Sequence, residues 1–281
     1  MRSAFSLLTF FLVLFLSSSC HNLVEEDLPD ITKTPVLNGV LIADSLLKVH
    51  VSLTASMGDS IPSLVSNALV IIKSDIKTDT LRHIKNGWYG CSTTIILGKT
   101  YNCTVDVPGY KQLSAVTTVP YFTLVNDLKF NEIAGKGDYN ENISSFEFSI
   151  PNDTTKELYW EIRFTFDNYI FFKAEQDSVM ISEAQPLNLF SNKKMKKDEY
   201  RGKFFFTNTD GRYNSKGNSF IVLRSVDASY YKYQKQLYLY NTGGYTGLGS
   251  STQTYPLYTN VTNGYGIFTS YSVFYKSLKY Y

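Results

Sequence analysis

Cysteine supplies the most reactive chemistry this sequence offers, and it offers three of them. Cys20 ends the segment MRSAFSLLTFFLVLFLSSSC, in which Arg2 gives a short positive start, Phe5 to Leu16 form an apolar run, and serines precede the thiol. A cysteine directly after small residues in that setting fits the arrangement in which a bacterial thiol takes up diacylglycerol and cleavage frees its amine for another acyl chain. The branched residue usual three places before the cysteine is here Ser17, with Leu16 one step further out. The expectation is a signal peptide over 1–19 and lipidation at Cys20. The alternative is an ordinary signal peptide cut nearby, with Cys20 incidental. Two or three acyl chains hold a protein on a membrane stably, where one does not. The apolar run is short for a span, and nothing after Cys20 approaches eighteen apolar residues, so anchoring is expected rather than crossing.

Cys91 and Cys103 flank a turn at Gly98. If Tyr89 and Cys91 face inward together with Tyr101 and Cys103, the sulfurs could meet across neighbouring strands as a disulfide. The alternative is two small buried thiols packing as ordinary hydrophobes. Lys99 adjoins the turn, but no histidine or acid stands at a spacing that would make either thiol a nucleophile.

Other chemistry is sparse. His50 and His83 are the histidines of the folded part, His21 lies close behind Cys20, and none belongs to an HExxH or comparable metal spacing. There is no Gly-x-Ser-x-Gly elbow and no phosphate-binding loop. Acids such as Glu161 and Asp167 could in principle act as glycosidase carboxylates, because such pairs are distant in sequence, but nothing positive points to it. No catalytic residue, metal ligand or cofactor site is therefore expected. The 27 basic and 25 acidic residues leave a formal charge of +2, which gives no argument for nucleic acid and no polybasic stripe with its own membrane affinity.

The elements that would position these residues are mainly strands. Tyr (22) and Phe (19) far outnumber Trp (2), and Thr, Ser and Gly are frequent, a composition suited to sheets and turns. Residues 20–33 read as a lipidated flexible tether. Its acidic run Glu25-Glu26-Asp27 resembles the signal, in Bacteroidota, for display on the outer face of the outer membrane. From 34 to 120, short alternating runs begin near Val36, Lys48, Ala68, Thr78, Trp88, Tyr101 and Tyr110, with Asn86-Gly87 and Pro108-Gly109 as turns. Seven short strands in that space predict an immunoglobulin-like β-sandwich. Pro120 reads as a domain boundary.

Residues 121–281 predict a second sandwich-like domain with one packed helix. Strands are expected at 123–130, 146–150, 158–166, 203–207, 219–224 and 265–274. In the clearest of them Leu158, Trp160, Ile162, Phe164 and Phe166 form the core face, while Tyr159, Glu161, Arg163 and Thr165 point the other way. Asn192 to Tyr200, NKKMKKDEY, reads as a charged exposed loop. Ser225 is expected to cap a helix over about 226–240, with Val226, Tyr230, Tyr233, Leu237 and Tyr240 on the packed face and Asp227, Lys232 and Lys235 toward solvent. That tyrosine stripe reads as core packing rather than as a ligand platform.

The lipoprotein start, PVLNGVL, GKTYNCTVDVPGYKQLSAVTTVP, SVDASYYKYQKQL and YPLYTNVTNGYGIF, taken in this order, resemble the Bacteroidota family of domain of unknown function (DUF) 4249, over roughly residues 20 to 275. Members often have leucine where this chain has Tyr265 between Gly264 and Gly266, a change that keeps both glycines. The family has no assigned activity or catalytic residues to carry over. The resemblance implies an envelope lipoprotein that could work beside TonB-dependent outer-membrane transporters. The leading expectation is a non-catalytic surface module of the outer membrane, held in lipid through acylated Cys20, that binds a ligand or supports such a transporter. A secreted glycan or peptide hydrolase and a structural or adhesion protein of the envelope stand as alternatives.

Overall fold

A computed structural model describes residues 32–56, 59, 61–137, 139–166, 169–171, 188–208, 219–242 and 257–277. The expected signal peptide, Cys20 and nearly all of the expected tether lie outside these residues, as do Asp167 and the side chains of Phe164 and Phe166. The described residues are mainly β, with one long helix among them.

The first half contains all seven expected strands: β1 (Pro35–Ile42), β2 (Leu46–Leu53), β3 (Leu69–Lys73), β4 (Thr78–Lys85), β5 (Trp88–Thr94), β6 (Thr100–Asp106) and β7 (Leu113–Thr118). They form two layers, β1-β2-β5 and β3-β6-β7, with β4 shared between them. The first half of β4 pairs with β3, up to Leu81 opposite Val70, and its second half pairs with β5, from Arg82 opposite Gly90. Alternation brings Leu37, Val49, Val51 and Tyr89 from one layer against Val70, Ile72, Cys103 and Val105 from the other, all essentially removed from water. This is the sandwich that the sequence pattern predicts.

The second half contains β8 (Asn126–Lys136), β9 (Asn142–Pro151), β10 (Tyr159–Phe166), β11 (Tyr169–Phe171), β12 (Leu189–Ser191), β13 (Glu199–Asn208), β14 (Ser219–Val226), α1 (Ala228–Thr242) and β15 (Tyr265–Ser277). A three-stranded sheet, β13-β9-β8, covers the layer built from β10, β14 and the end of β15. Phe146, Phe148, Trp160, Ile162, Phe190 and Phe204 fill the space between them, with Phe148 and Phe204 stacked at 5.3 Å. Helix α1 lies on the other face of the β10–β14–β15 layer, where Tyr230 and Tyr231 bury themselves against Tyr159, Leu189 and Val226.

The helix begins later than its sequence pattern suggests. Val226 still belongs to β14, opposite both Tyr159 and Tyr271, so Ser225 is a buried strand residue and no cap. Asp227 caps instead: its Oδ1 accepts from the Tyr230 N–H at 2.7 Å, the third residue of the helix. Asp227 does not face solvent, and the expected stripe is tight only at its start, with Leu237 half-buried and Tyr240 exposed.

The boundary at Pro120 does not separate two complete cores. Val261 and Phe268, from the end of the chain, belong to the first core. Strand β15 runs parallel to β1 from Tyr265 opposite Val36 to Tyr271 opposite Ile42, then continues antiparallel to β14 from Tyr271 opposite Val226. One strand thus serves both halves. Its entry depends on two glycines: a Cβ on Gly266, at φ +102°, would stand 2.1 Å from the Leu37 carbonyl, and one on Gly264 2.6 Å from the Pro35 carbonyl.

Candidate functional site

Where the two halves meet, the segment between β7 and β8 crosses from one sandwich to the other. It carries Tyr121, Phe122 and Leu124 with much of their surface exposed, Tyr121 at 74 %. Together with residues 151–160 and 225–228 this segment lines a cleft of about 670 Å³. Its floor includes Trp160, Ser225 and Val226, and its rim includes Asp153, Lys156 and Glu157.

The floor is held by polar pairs. The Trp160 indole N–H donates to Thr123 Oγ1 at 2.8 Å, the Ser225 hydroxyl donates to the same oxygen at 3.0 Å, and the Thr123 N–H donates to Ser225 Oγ at 3.1 Å. These three bonds give the crossing segment a defined position despite its exposure. Phe122 stacks at 6.2 Å on Phe274 of β15, which fixes its ring at the cleft edge.

The charged rim is fixed by Asn192, in the segment that reads from sequence as an exposed loop. Asn192 is buried, and its side-chain amide donates to Asn152 Oδ1 and to the carbonyls of Asp153 and Lys156, while its Oδ1 accepts from the Leu158 N–H at 3.0 Å. Asn152 in turn donates to the Lys197 carbonyl at 2.7 Å. An asparagine has both donors and acceptors for this purpose, which a lysine in that run does not. The lysines that follow remain at the surface around it.

Glu161 is not placed for acid catalysis. Alternation turns it away from the Trp160 side, and α1 covers that face, so Glu161 is buried. Its Oε1 accepts from both Arg163 Nε and Nη2, and its Oε2 accepts from Arg224 Nη1 at 2.8 Å and the Tyr230 hydroxyl at 2.9 Å. The Arg224 guanidinium lies 4.8 Å from the centre of the Tyr271 ring. Burial works against the Arg224 charge, and the Glu161 carboxylate together with Tyr230 and Tyr271 more than offsets it, so its pKa is raised. Burial, and then the neighbouring carboxylate, pushes the Tyr230 hydroxyl well above its ordinary range. These groups bind one another and join helix to sheet.

The cysteine expectation needs correction. Cys91 and Cys103 are free thiols, and β5 and β6 are not neighbours, because β4 and β3 stand between them in the strand order. Cys103 is buried, and burial pushes its thiol up to about 12, whereas Cys91 is half-buried. His50 and His83 sit on β2 and β4 against aromatic rings, His50 with Trp88 and His83 with Tyr89. Among the described residues no group of three or more His, Cys, Asp or Glu could hold a metal ion. Sequence reasoning missed the cleft because its lining comes from three separated segments, and only exposed Tyr121-Phe122 beside Pro120 carried any local signal.

No curated protein matches the sequence. Among solved structures, the chicken CNTN1 FN1–FN3 domains share 12 % identity and a TM-score of 0.28, covering 70 % of this chain and 60 % of that one. A DUF4785 family protein from Legionella pneumophila subsp. pneumophila str. Philadelphia 1 shares 12 % identity and a TM-score of 0.24, covering 67 % and 51 %. This chain therefore spans little more than half the length of these two. A protein from Bacteroides uniformis ATCC 8492, provisionally described as carbohydrate binding, shares 9 % identity and a TM-score of 0.21, covering 87 % and 98 %. Scores this low transfer no property to the present chain. A sequence profile of the domain of unknown function DUF4249 matches residues 22–277, nearly the whole length, and the chain belongs to that family.

Proposed function

We propose that this chain is a lipid-anchored module of the bacterial outer membrane that captures a ligand in the cleft between its two sandwiches, alone or beside a TonB-dependent transporter. The observation that carries this reading is the cleft itself. An apolar lip formed by Tyr121, Phe122 and Leu124 faces a rim of Asp153, Lys156 and Glu157, over a floor whose polar groups are already paired. Such a surface holds a ligand through apolar contact and orients it at the rim. Nothing in it resembles a nucleophile with its base. The buried carboxylate–arginine group around Glu161 has its acceptors occupied by Arg163, Arg224 and Tyr230.

Native extraction of the membrane fraction, followed by affinity capture of the full chain, tests the reading. A ligand or transporter should co-purify with the wild-type chain and be lost from a Tyr121→Ala/Phe122→Ala variant that keeps its unfolding midpoint. Equal recovery from both would place the function away from the cleft. Labelling with palmitate tests the anchor: label should enter the wild-type chain and not Cys20→Ala.

A further inference from the structure

The outer face of the first sandwich assembles a group of side chains that are far apart in sequence. Register partners in a sheet share a face, so His50 opposite Trp88 and Lys48 opposite Gly90 stand together on the side away from the core. The His50 and Trp88 rings meet at 5.1 Å. Arg82 is also opposite Gly90, and Lys85 is opposite Trp88. Because Gly90 has no side chain, the Ile84 methyl and the Lys48 stem close over it, each 3.1 Å from where a Cβ would sit. Trp88 is 45 % exposed, Ile84 53 % and Val40, on the neighbouring strand, 45 %.

The charge on this face has one sign. Strands β1, β2 and β5 contain no acidic residue, and the one in β4, Asp79, lies in its other half, paired with Lys77 at 2.7 Å. Among the described residues Lys48, Arg82 and Lys85 have no ion-pair partner. An exposed indole and aliphatic groups ringed by unpaired cations match the interface of an anionic bilayer, where the ring sits among headgroups and the ammonium groups meet phosphates.

The chain leaves the fold at the same end. Val51 donates to the Gly87 carbonyl at 2.8 Å and is opposite Leu37, so the Asn86-Gly87 hairpin tip adjoins the start of β1. The Thr34 carbonyl accepts there from Thr54 at 2.8 Å. The twelve residue-to-residue steps from Cys20 to Thr32 reach at most about 40 Å when fully extended. An anchor at Cys20 would therefore keep this face close to the membrane.

We propose that the Trp88 face of β1, β2, β4 and β5 docks onto an anionic lipid surface, with Lys48, Arg82 and Lys85 on lipid phosphates and Trp88 and Ile84 at the headgroup boundary. The placement near the membrane rests on the anchored reading above, but the affinity of the face does not.

Unacylated mature chain, residues 21–281, should co-sediment with vesicles rich in phosphatidylglycerol and not with phosphatidylcholine alone. Binding should weaken with salt and fall roughly fivefold for each charge removed in Lys48→Ala, Arg82→Ala and Lys85→Ala. Trp160 is buried, so brominated phosphatidylglycerol should quench Trp88 emission, and Trp88→Phe should abolish that quenching. These variants alter exposed positions and should keep the wild-type unfolding midpoint. Equal binding to both vesicles, unchanged binding by the variants, or capture by an anionic polysaccharide without vesicle binding would each overturn the proposal. Failure of palmitate labelling at Cys20, with vesicle binding intact, would instead remove the anchor and leave this face standing.

Discussion

The Thr117 hydroxyl donates to the Asp227 carboxylate at 2.5 Å, tying the last strand of the first sandwich to the residue that caps α1. Thr269 of β15 donates to the other oxygen of the same carboxylate, and Ser270 lies 2.8 Å from Thr117. Burial raises the Asp227 pKa, and the hydrogen bonds it accepts only partly offset this. In the window between the model-peptide value and the raised one, the folded chain binds more protons than the unfolded chain. The Asp227 contribution to stability is therefore full below that window and declines as pH rises through it. Denaturant midpoints of wild type and Asp227→Asn across acidic to neutral pH should show this: the wild-type advantage shrinks with rising pH and is flat once Asp227 has ionised in both states.

Gly266 should not tolerate a side chain. Alanine there would combine an unfavourable positive φ with a backbone clash, at a cost of about 2–5 kcal/mol. The loss should appear as a lower denaturant midpoint and as faster amide exchange in β1, the strand that Gly266 lets β15 approach. Gly109, also at positive φ but with open space around it, should lose only the conformational part, about 1–2 kcal/mol.

Removing Glu161 should cost more than removing any exposed acid. Glu161→Ala takes from Arg224 and the Tyr230 hydroxyl the carboxylate oxygen they share, for which about 3–5 kcal/mol is typical of buried pairs. The low end is expected, since the arginine side chains retain 25 % and 20 % exposure. Thermal unfolding should register the difference against Glu199→Ala, whose ion pair with Arg201 is at the surface.

On the helix, Tyr231→Ala should cost about 3–5 kcal/mol and Leu237→Ala less than about 2 kcal/mol, because Tyr231 is buried and Leu237 only half so. Denaturant titration separates the two. Equal costs would mean that the second half of α1 packs as tightly as the first.

Alkylation distinguishes the thiols. In the native state Cys91 should react slowly and Cys103 essentially not at all until the chain unfolds, since burial holds Cys103 as a neutral thiol. Intact mass after denaturation without reductant should show both labelled.

The strands were legible because alternation is a local signal. Val49 and Val51, or Trp160 and Ile162, declare a buried face without reference to any partner. What covers the opposite face is not local, and so the burial of Glu161 and Asp227 under or beside α1 could not be read from their neighbours. Strands β11 and β12, of three residues each, are too short to show a period. The parallel pairing of β1 with β15 joins residues more than two hundred apart, with only the glycines of the closing motif to hint at a close approach. Pro120 looked like a boundary because it does begin the crossing between the halves, but proximity in sequence hid the strand that returns to complete the first core. Asn192, a single amide at the head of a lysine-rich run, was outweighed by the charge around it.

The sharing of β15 also decides how the molecule bears load. Under the function proposed above, a ligand gripped in the cleft would pull on the second half, and an anchor upstream of β1 would pull on the first. One path for that force runs along β15 and into β1 through parallel pairing that extends from Val36 to Ile42. Force along paired strands shears their hydrogen bonds together, whereas force across a hairpin end opens them one at a time. Forced unfolding is governed by the rate of crossing that barrier. The shared strand thus places a shear-resistant clamp between the two halves.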